Sequence, residues 1–152
     1  MGAITKPILL DAVTVIHLLE WGRYWAVCQA LGNLACLSEF VASNEVKYHV
    51  DRASGRRIRF DPAKVTPTSV PRLVTVDQLS AEQYERYLEH FNILKGADKG
   101  EREMFALAWV LGYDVCSWDG GALDLFREHR PKGCTSRYIP TLDLLRSLKL
   151  LQ

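Results

Sequence analysis

Apolar residues in this chain fall into short runs that alternate with helical patterns. Residues 8–10, "ILL", are wholly apolar, as expected of a strand buried on both faces of a parallel sheet. From Ala12 the pattern turns helical and continues through Leu19. A second helix, "YWAVCQALG", ends at Gly32, a natural C-cap. Residues 35–37 read as another short strand, with Ser38 capping a helix that carries Glu39 and Glu45. Residues 52–60, "RASGRRIRF", are basic and polar around a glycine and predict a hairpin or an exposed loop. A strand is expected over 72–76, "RLVTV".

In "LSAEQYERYLEHF", Ser80 takes the N-cap and Gln83 the capping-box position of a helix. Tyr84, Tyr87, Leu88 and Phe91 share one face of it. "GADKG" then breaks the chain before "EREMFALAWVLG", a helix closed by Gly112. "YDVCSWD" follows as a strand ending in an acid and "GALDLFREHR" as a helix; "CTSRYI" and "PTLDLLRSLKL" repeat the theme. Strands alternating with helices predict an α/β fold with a mostly parallel sheet. No internal repeat, low-complexity segment or linker divides the chain, so residues 1–152 read as one domain.

Composition narrows the class. The chain is 48% hydrophobic and 24% charged, as in ordinary globular proteins. A net charge of +1 argues against coating nucleic acid through bulk charge, but leaves room for a local basic groove. Cys28, Cys36, Cys116 and Cys134 form no CxxC pair and stand beside no histidine at ligand spacing, so they are expected reduced and largely buried. His17, His49, His90 and His129 are scattered and read as structural; Trp21, Trp25 and Trp109 suit a core or a dimer surface. No apolar run reaches the ~20 residues of a membrane span and the N-terminus lacks a secretory pattern, so a cytoplasmic protein is expected.

The chemistry sits in the acids. Ligands of open α/β sheets bind at the carboxyl ends of the strands. Asp11 and Asp119 each stand where a strand gives way to a helix, so the fold can bring them together. Glu45, on the helix after "LACLS", and Glu101, in the first turn of "GEREMFALA", complete a set of four. If they converge, each like-charged pair at ~4 Å costs roughly 4 kcal/mol at an effective dielectric of 20. Such a cluster must protonate, spread apart or hold a cation, and all-oxygen donors suit Mg²⁺ or Mn²⁺ rather than zinc.

"LLDAVTVIHLLE", "EFVASNEV" and "GEREMFALAWVLGYDVCSWD" together resemble the PIN-domain nucleases, which include the VapC-type toxins of toxin–antitoxin pairs. In that family an aspartate ends the first strand and a glutamate lies on an early helix. A third acid begins a helix of the form acid-x-x-apolar-Ala-x-x-Ala, and a later strand ends in Ser/Thr-x-Asp. Glu101 with Ala108 matches the third element, and Ser117-Trp118-Asp119 the fourth. The resemblance runs from about Ile8 to Arg127 and more loosely beyond Lys132.

It implies a three-layer α/β/α domain and a metal-dependent ribonuclease. Asp11, Glu45, Glu101 and Asp119 would hold Mg²⁺ or Mn²⁺, and Ser117 would support the last carboxylate or the water. RNA would be the substrate, with a homodimer and an antitoxin protein as the implied partners. Three positions depart from the pattern: Val13 where Asn or Ser is usual, Glu101 for the commoner aspartate as in a GE-containing branch, and Trp118 where a polar residue is usual. Thr14, beside Val13, should leave the helix in another direction.

Other readings stay open. Asp11 can serve as a helix N-cap alone, Glu39 can replace Glu45, and Glu103 is either a supporting acid or plain surface. Asp119 can be a turn residue of "WDGG", while Asp124 reads as a solvated helix acid. Arg52, Arg56, Arg57 and Arg59 suit a phosphate backbone or simply a solvated loop. A PIN-like module that binds RNA or protein without catalysis is the alternative to the nuclease. A phosphohydrolase with an aspartyl nucleophile would need a second acid at Val13 and is disfavoured.

Overall fold

The computed structural model describes residues 3–46, 48–50, 54–59, 71–118 and 120–151. Its centre is a five-stranded, all-parallel sheet. Strands β1 (Ile8–Leu10), β2 (Ala35–Ser38), β5 (Arg72–Val74), β6 (Asp114–Ser117) and β7 (Tyr138–Pro140) lie in the order β5-β2-β1-β6-β7. Between β2 and β5, β3 (Tyr48–Val50) and β4 (Arg57–Arg59) form a separate antiparallel hairpin, with Gly55 at φ +68° between them. The stretch expected over 52–60 as a hairpin or exposed loop supplies only the second strand of this hairpin, the first lying before it at Tyr48–Val50; Arg56 is exposed, and Arg52 lies outside the described residues.

Side-chain alternation along the strands separates two cores, as the period-2 pleat requires. Ile8, Leu10, Ala35, Leu37 and Cys116 face one layer, made by α1 (Ala12–Glu20), α2 (Tyr24–Leu31) and α6 (Thr141–Ser147). Leu9, Cys36 and Val115 face the other, made by α3 (Ala81–Ile93), α4 (Lys99–Leu111) and α5 (Gly120–His129). The three-layer α/β/α fold expected from the sequence is the fold observed. The middle of α4, from Met104 to Trp109, is buried throughout because sheet, α3 and α5 enclose it.

Local signals place most boundaries. Ser80 Oγ accepts from Gln83 N while Gln83 Oε1 accepts from Ser80 N, the reciprocal capping box that starts α3. Gly112 closes α4 at φ +72°, where a Cβ would be strained, and its N–H reaches Ala108 O. Several expectations shift. Helix α4 starts at Lys99, earlier than expected, because Asp98 rather than a glycine break supplies its N-cap. The segment after Ser38 is a π-helical turn, Val41–Glu45, instead of an α-helix, although Ser38 Oγ does accept from Val41 N at 3.3 Å.

Strand β5 stops at Val74 and a 3₁₀ turn follows; β7 starts only at Tyr138 and α6 ends at Ser147. The apolar face of α3 is only partly covered: Tyr87 is buried, but Tyr84 and Leu88 are exposed. Of the tryptophans, Trp109 is core, Trp21 half-buried and Trp25 exposed. All four cysteines are free, and three are buried. No helix among the described residues is long and apolar enough to cross a membrane.

At the amino end of the sheet, fully buried Asp114 accepts from Arg137 N at 2.8 Å, and from its Nε and Nη2 at 3.2 and 2.9 Å. This clamp fixes β7 against β6, while the β1–β6 register, Leu10 opposite Cys116, is what places Ser117 beside Asp11 at the opposite edge.

Candidate functional site

The chain runs outward from β1 in both directions across the sheet, to β2 on one side and β6 on the other. The first crossover uses α1 and α2 on one face, and the crossover into β6 uses α3 and α4 on the other. The carboxyl ends of β1 and β6 therefore flank a topological switch point, where open α/β sheets form a crevice. Asp11 N donates to Cys116 O at 3.0 Å, tying the two strand ends together.

Asp11 is the N-cap of α1: Thr14 N donates to its Oδ1 at 2.7 Å. Its Oδ2 accepts from Ser117 Oγ at 2.5 Å, and the Trp118 N–H adds a further hydrogen bond. The cap reading and the site reading of Asp11 thus both hold in geometry. Asp11 is only 8% exposed. Burial pushes its carboxyl above the ordinary range, and the hydrogen bonds from Ser117, Thr14 and Trp118 pull back only part of the way. Thr14 is a closer support than its helical position suggested. Its side chain also contributes to holding the Asp11 charge, and its Oγ1 lies 2.7 Å from Thr141 Oγ1.

Across from Asp11 stands the start of α4. A small cleft of about 40 Å³ is lined by Asp11, Val13, Val41, Asp98, Glu101 and Met104, among others. Glu101 is partly buried and its backbone N–H is held by Asp98 Oδ1 at 2.9 Å. Arg102 steadies this turn: its Nε and Nη2 donate to Phe91 O at 3.0 and 2.9 Å, with the guanidinium 3.9 Å from the Phe91 ring centre. The fold therefore brings Asp11, Ser117 and Glu101 to one edge. Asp98 is an acid that the sequence reading passed over. Its signal was Asp-x-x-Glu ahead of an apolar run, a capping pattern.

The remaining acids differ. Asp119 lies outside the described residues, and of Glu45 only the backbone is described, closing the turn whose first residue, Val41, lines the cleft. Glu39 and Asp124 are exposed. Glu103 is not plain surface. Its Oε1 accepts from Phe40 N at 3.1 Å and Ser38 adds a side-chain bond, so it braces the turn after β2. Burial, aided by the neighbouring Glu39, raises its carboxyl, and Lys99 opposes this. Among the described residues no three His, Cys, Asp or Glu side chains form a group that could hold a metal ion.

Beside the cleft, Trp118 is 42% exposed and meets His17 and Trp21 edge-on, with ring centres 4.9 and 5.5 Å apart. Val13, also exposed, leaves the cleft's α1 side apolar. Set against known protein families and curated proteins, the chain matches no family model and no curated protein.

Proposed function

We propose that the chain is a Mg²⁺- or Mn²⁺-dependent endoribonuclease of the PIN type, with Asp11, Glu45, Glu101 and Asp119 as the metal-holding acids. The observation that supports this most is the meeting of Asp11 and Glu101, far apart in sequence, in one cleft at the sheet's switch point. Oxygen donors alone line its polar part, the chemistry that suits hard cations. Burial already disfavours the Asp11 charge, a cost that a bound cation relieves. Such a metal would generate the nucleophile from water and stabilise charge on the scissile phosphate. Ser117 orients the Asp11 carboxylate, leaving the acids to position rather than attack. RNA is the proposed substrate; a second copy of the chain and an antitoxin protein are the partners that go with this reading.

A second reading has its own support. The apolar Val13 and the exposed Trp118 favour an RNA- or protein-binding module without catalysis. One experiment separates the two: incubation of a mixed RNA pool with Mg²⁺ or Mn²⁺ and wild-type protein, Asp11→Asn or Glu101→Gln. Metal-dependent cutting by wild type that both folded variants lose supports the nuclease. Absence of cutting across RNA classes, with no metal uptake by calorimetry, overturns it in favour of the binding module.

A further inference from the structure

The residue after Ser117 begins at the rim of the acid cleft, because the Trp118 N–H is itself bonded to Asp11. A tryptophan side chain therefore starts beside the acids. Val13 lines the cleft and opens a stripe along α1: Val13, His17 and Trp21 follow at four-residue intervals and so share one face of the helix. The His17 and Trp21 rings stack at 5.2 Å, and Trp118 stands perpendicular to His17 and steeply inclined to Trp21, at 4.9 and 5.5 Å. Three nearly equal distances form a triangle, so both neighbours lie on one side of Trp118. Its 42% exposure belongs to the side away from them.

Single exposed apolar side chains are ordinary on protein surfaces. Trp118 differs in being held. Two rings restrict its rotation and its backbone is tied to Asp11, so much of the ordering cost of a contact is met on folding. The size of the surface then selects the ligand. A stable protein interface needs roughly 800 Å² on each partner, whereas the exposed part of one tryptophan offers about 100 Å² or less. That suits one flat ring better than the broad face of a protein.

Charge points the same way. Strand β3 of the hairpin lies against α1, and the hairpin bears Arg56, Arg57 and Arg59, with no acid from Arg52 to Phe60. Aromatic surface close to a basic segment is how proteins hold single strands, the bases stacking while the phosphates meet cations.

We propose that Trp118 is a base-stacking residue: it receives an unpaired base of an RNA strand next to the phosphate in the acid cleft, and so selects for an accessible base at that point. A paired base is already stacked within its helix and offers no free face. The proposal rests on the reading of RNA as the ligand, and on no step of catalysis.

The test measures binding of the full chain by fluorescence anisotropy in EDTA, where neither metal nor cutting contributes. The probes are a labelled single-stranded RNA of mixed sequence and the same strand with its bases removed. Trp118→Ala leaves the bond to Asp11 in place, because that bond uses the backbone N–H, and is expected to weaken single-strand binding about fivefold or more. Trp118→Phe keeps a ring and retains most of the affinity, whereas Trp118→Leu keeps only the apolarity and binds like the alanine variant. Removing the bases costs wild type about fivefold more than it costs Trp118→Ala.

No saturable binding of the single strand overturns the proposal, as does equal affinity of wild type and Trp118→Ala, or of the intact and base-free strands. So does phenylalanine binding no better than leucine. A Trp118→Ala variant that loses self-association in light scattering yet binds RNA unchanged also overturns it, and assigns the patch to a second copy of the chain. Metal-dependent cutting judges the nuclease reading separately. Stacking without cutting sinks that reading alone, and cutting by a protein whose RNA affinity ignores Trp118 sinks this proposal alone.

Discussion

Replacing Asp11 by asparagine keeps the side chain's shape and removes its charge. In the metal-free protein the carboxylate is almost wholly buried and held by Ser117 Oγ, Thr14 N and the Trp118 N–H. Hydrogen bonds to a charged group are worth about 1.5–3 kcal/mol each, against about 1 for neutral ones. The asparagine variant keeps one acceptor oxygen and turns an N–H donor toward the remaining partners, but avoids burying a charge, which costs several kcal/mol. Because the folded-state pKa of Asp11 is raised, burial wins this balance. The folded protein then binds more protons than the unfolded chain between the ordinary value of 3.8 and the raised one, so Asp11 costs stability increasingly as pH climbs through that window. Above the folded pKa the full cost is present, and below the ordinary value it vanishes.

In EDTA at neutral pH, Asp11→Asn should accordingly be the more stable protein, with the higher melting temperature. The advantage should shrink toward pH 4. Adding Mg²⁺ or Mn²⁺ at about 100 times its Kd should then raise wild type by about 2.7 kcal/mol and the variant by nothing, reversing the order. Thermal melts at several pH values, with EDTA and with metal, read both effects. A variant less stable than wild type in EDTA at neutral pH would refute the burial argument. Equal stabilisation of both proteins by metal would remove Asp11 from the metal site.

Three further outcomes follow from the same geometry. Ser117→Ala deprives the buried Asp11 carboxylate of its hydroxyl donor and should cost about 1.5–3 kcal/mol at neutral pH in urea unfolding, with less loss where Asp11 is protonated. Asp114→Ala breaks the clamp on Arg137 and leaves a backbone N–H unmet. Because Arg137 is 37% exposed and can turn to water, the loss should sit at about 2–4 kcal/mol, and a loss below about 1 kcal/mol would show that the clamp contributes little. Gly112→Ala forces a left-handed φ of +72° on a residue with a Cβ and should cost about 1–2 kcal/mol in the same assay, while leaving any RNA cleavage unchanged.

Nearest-neighbour chemistry made much of this protein legible before its structure. The apolar triplet at Ile8, the Ser80–Gln83 capping box and Gly112 each act within a few residues, so their elements stand where the pattern puts them. Boundaries moved where a local residue admitted two roles. Asp98 reads as part of a glycine-flanked break, yet it caps α4 and lines the cleft. The turn after Ser38 has a helical pattern, but there Glu103 holds Phe40 N from another element.

Tertiary structure alone decided which side chains share a volume. Strand order carries Asp11 to Ser117 and faces both with the start of α4, a relation that no sequence spacing contains. The same holds for Asp114. At the head of an apolar strand it looks like a misplaced charge, and only β7, bringing Arg137 alongside, makes its burial tolerable. The buried Trp109 N–H is the converse case. The sequence marks Trp109 as a core or interface residue, and only packing reveals a donor left without an acceptor among the described residues. Patterning fixes which face each segment buries, because burial free energy is summed locally along a helix or strand. Burial of charge and of hydrogen-bonding groups depends instead on partners distant in the chain, and those are assigned only by the fold.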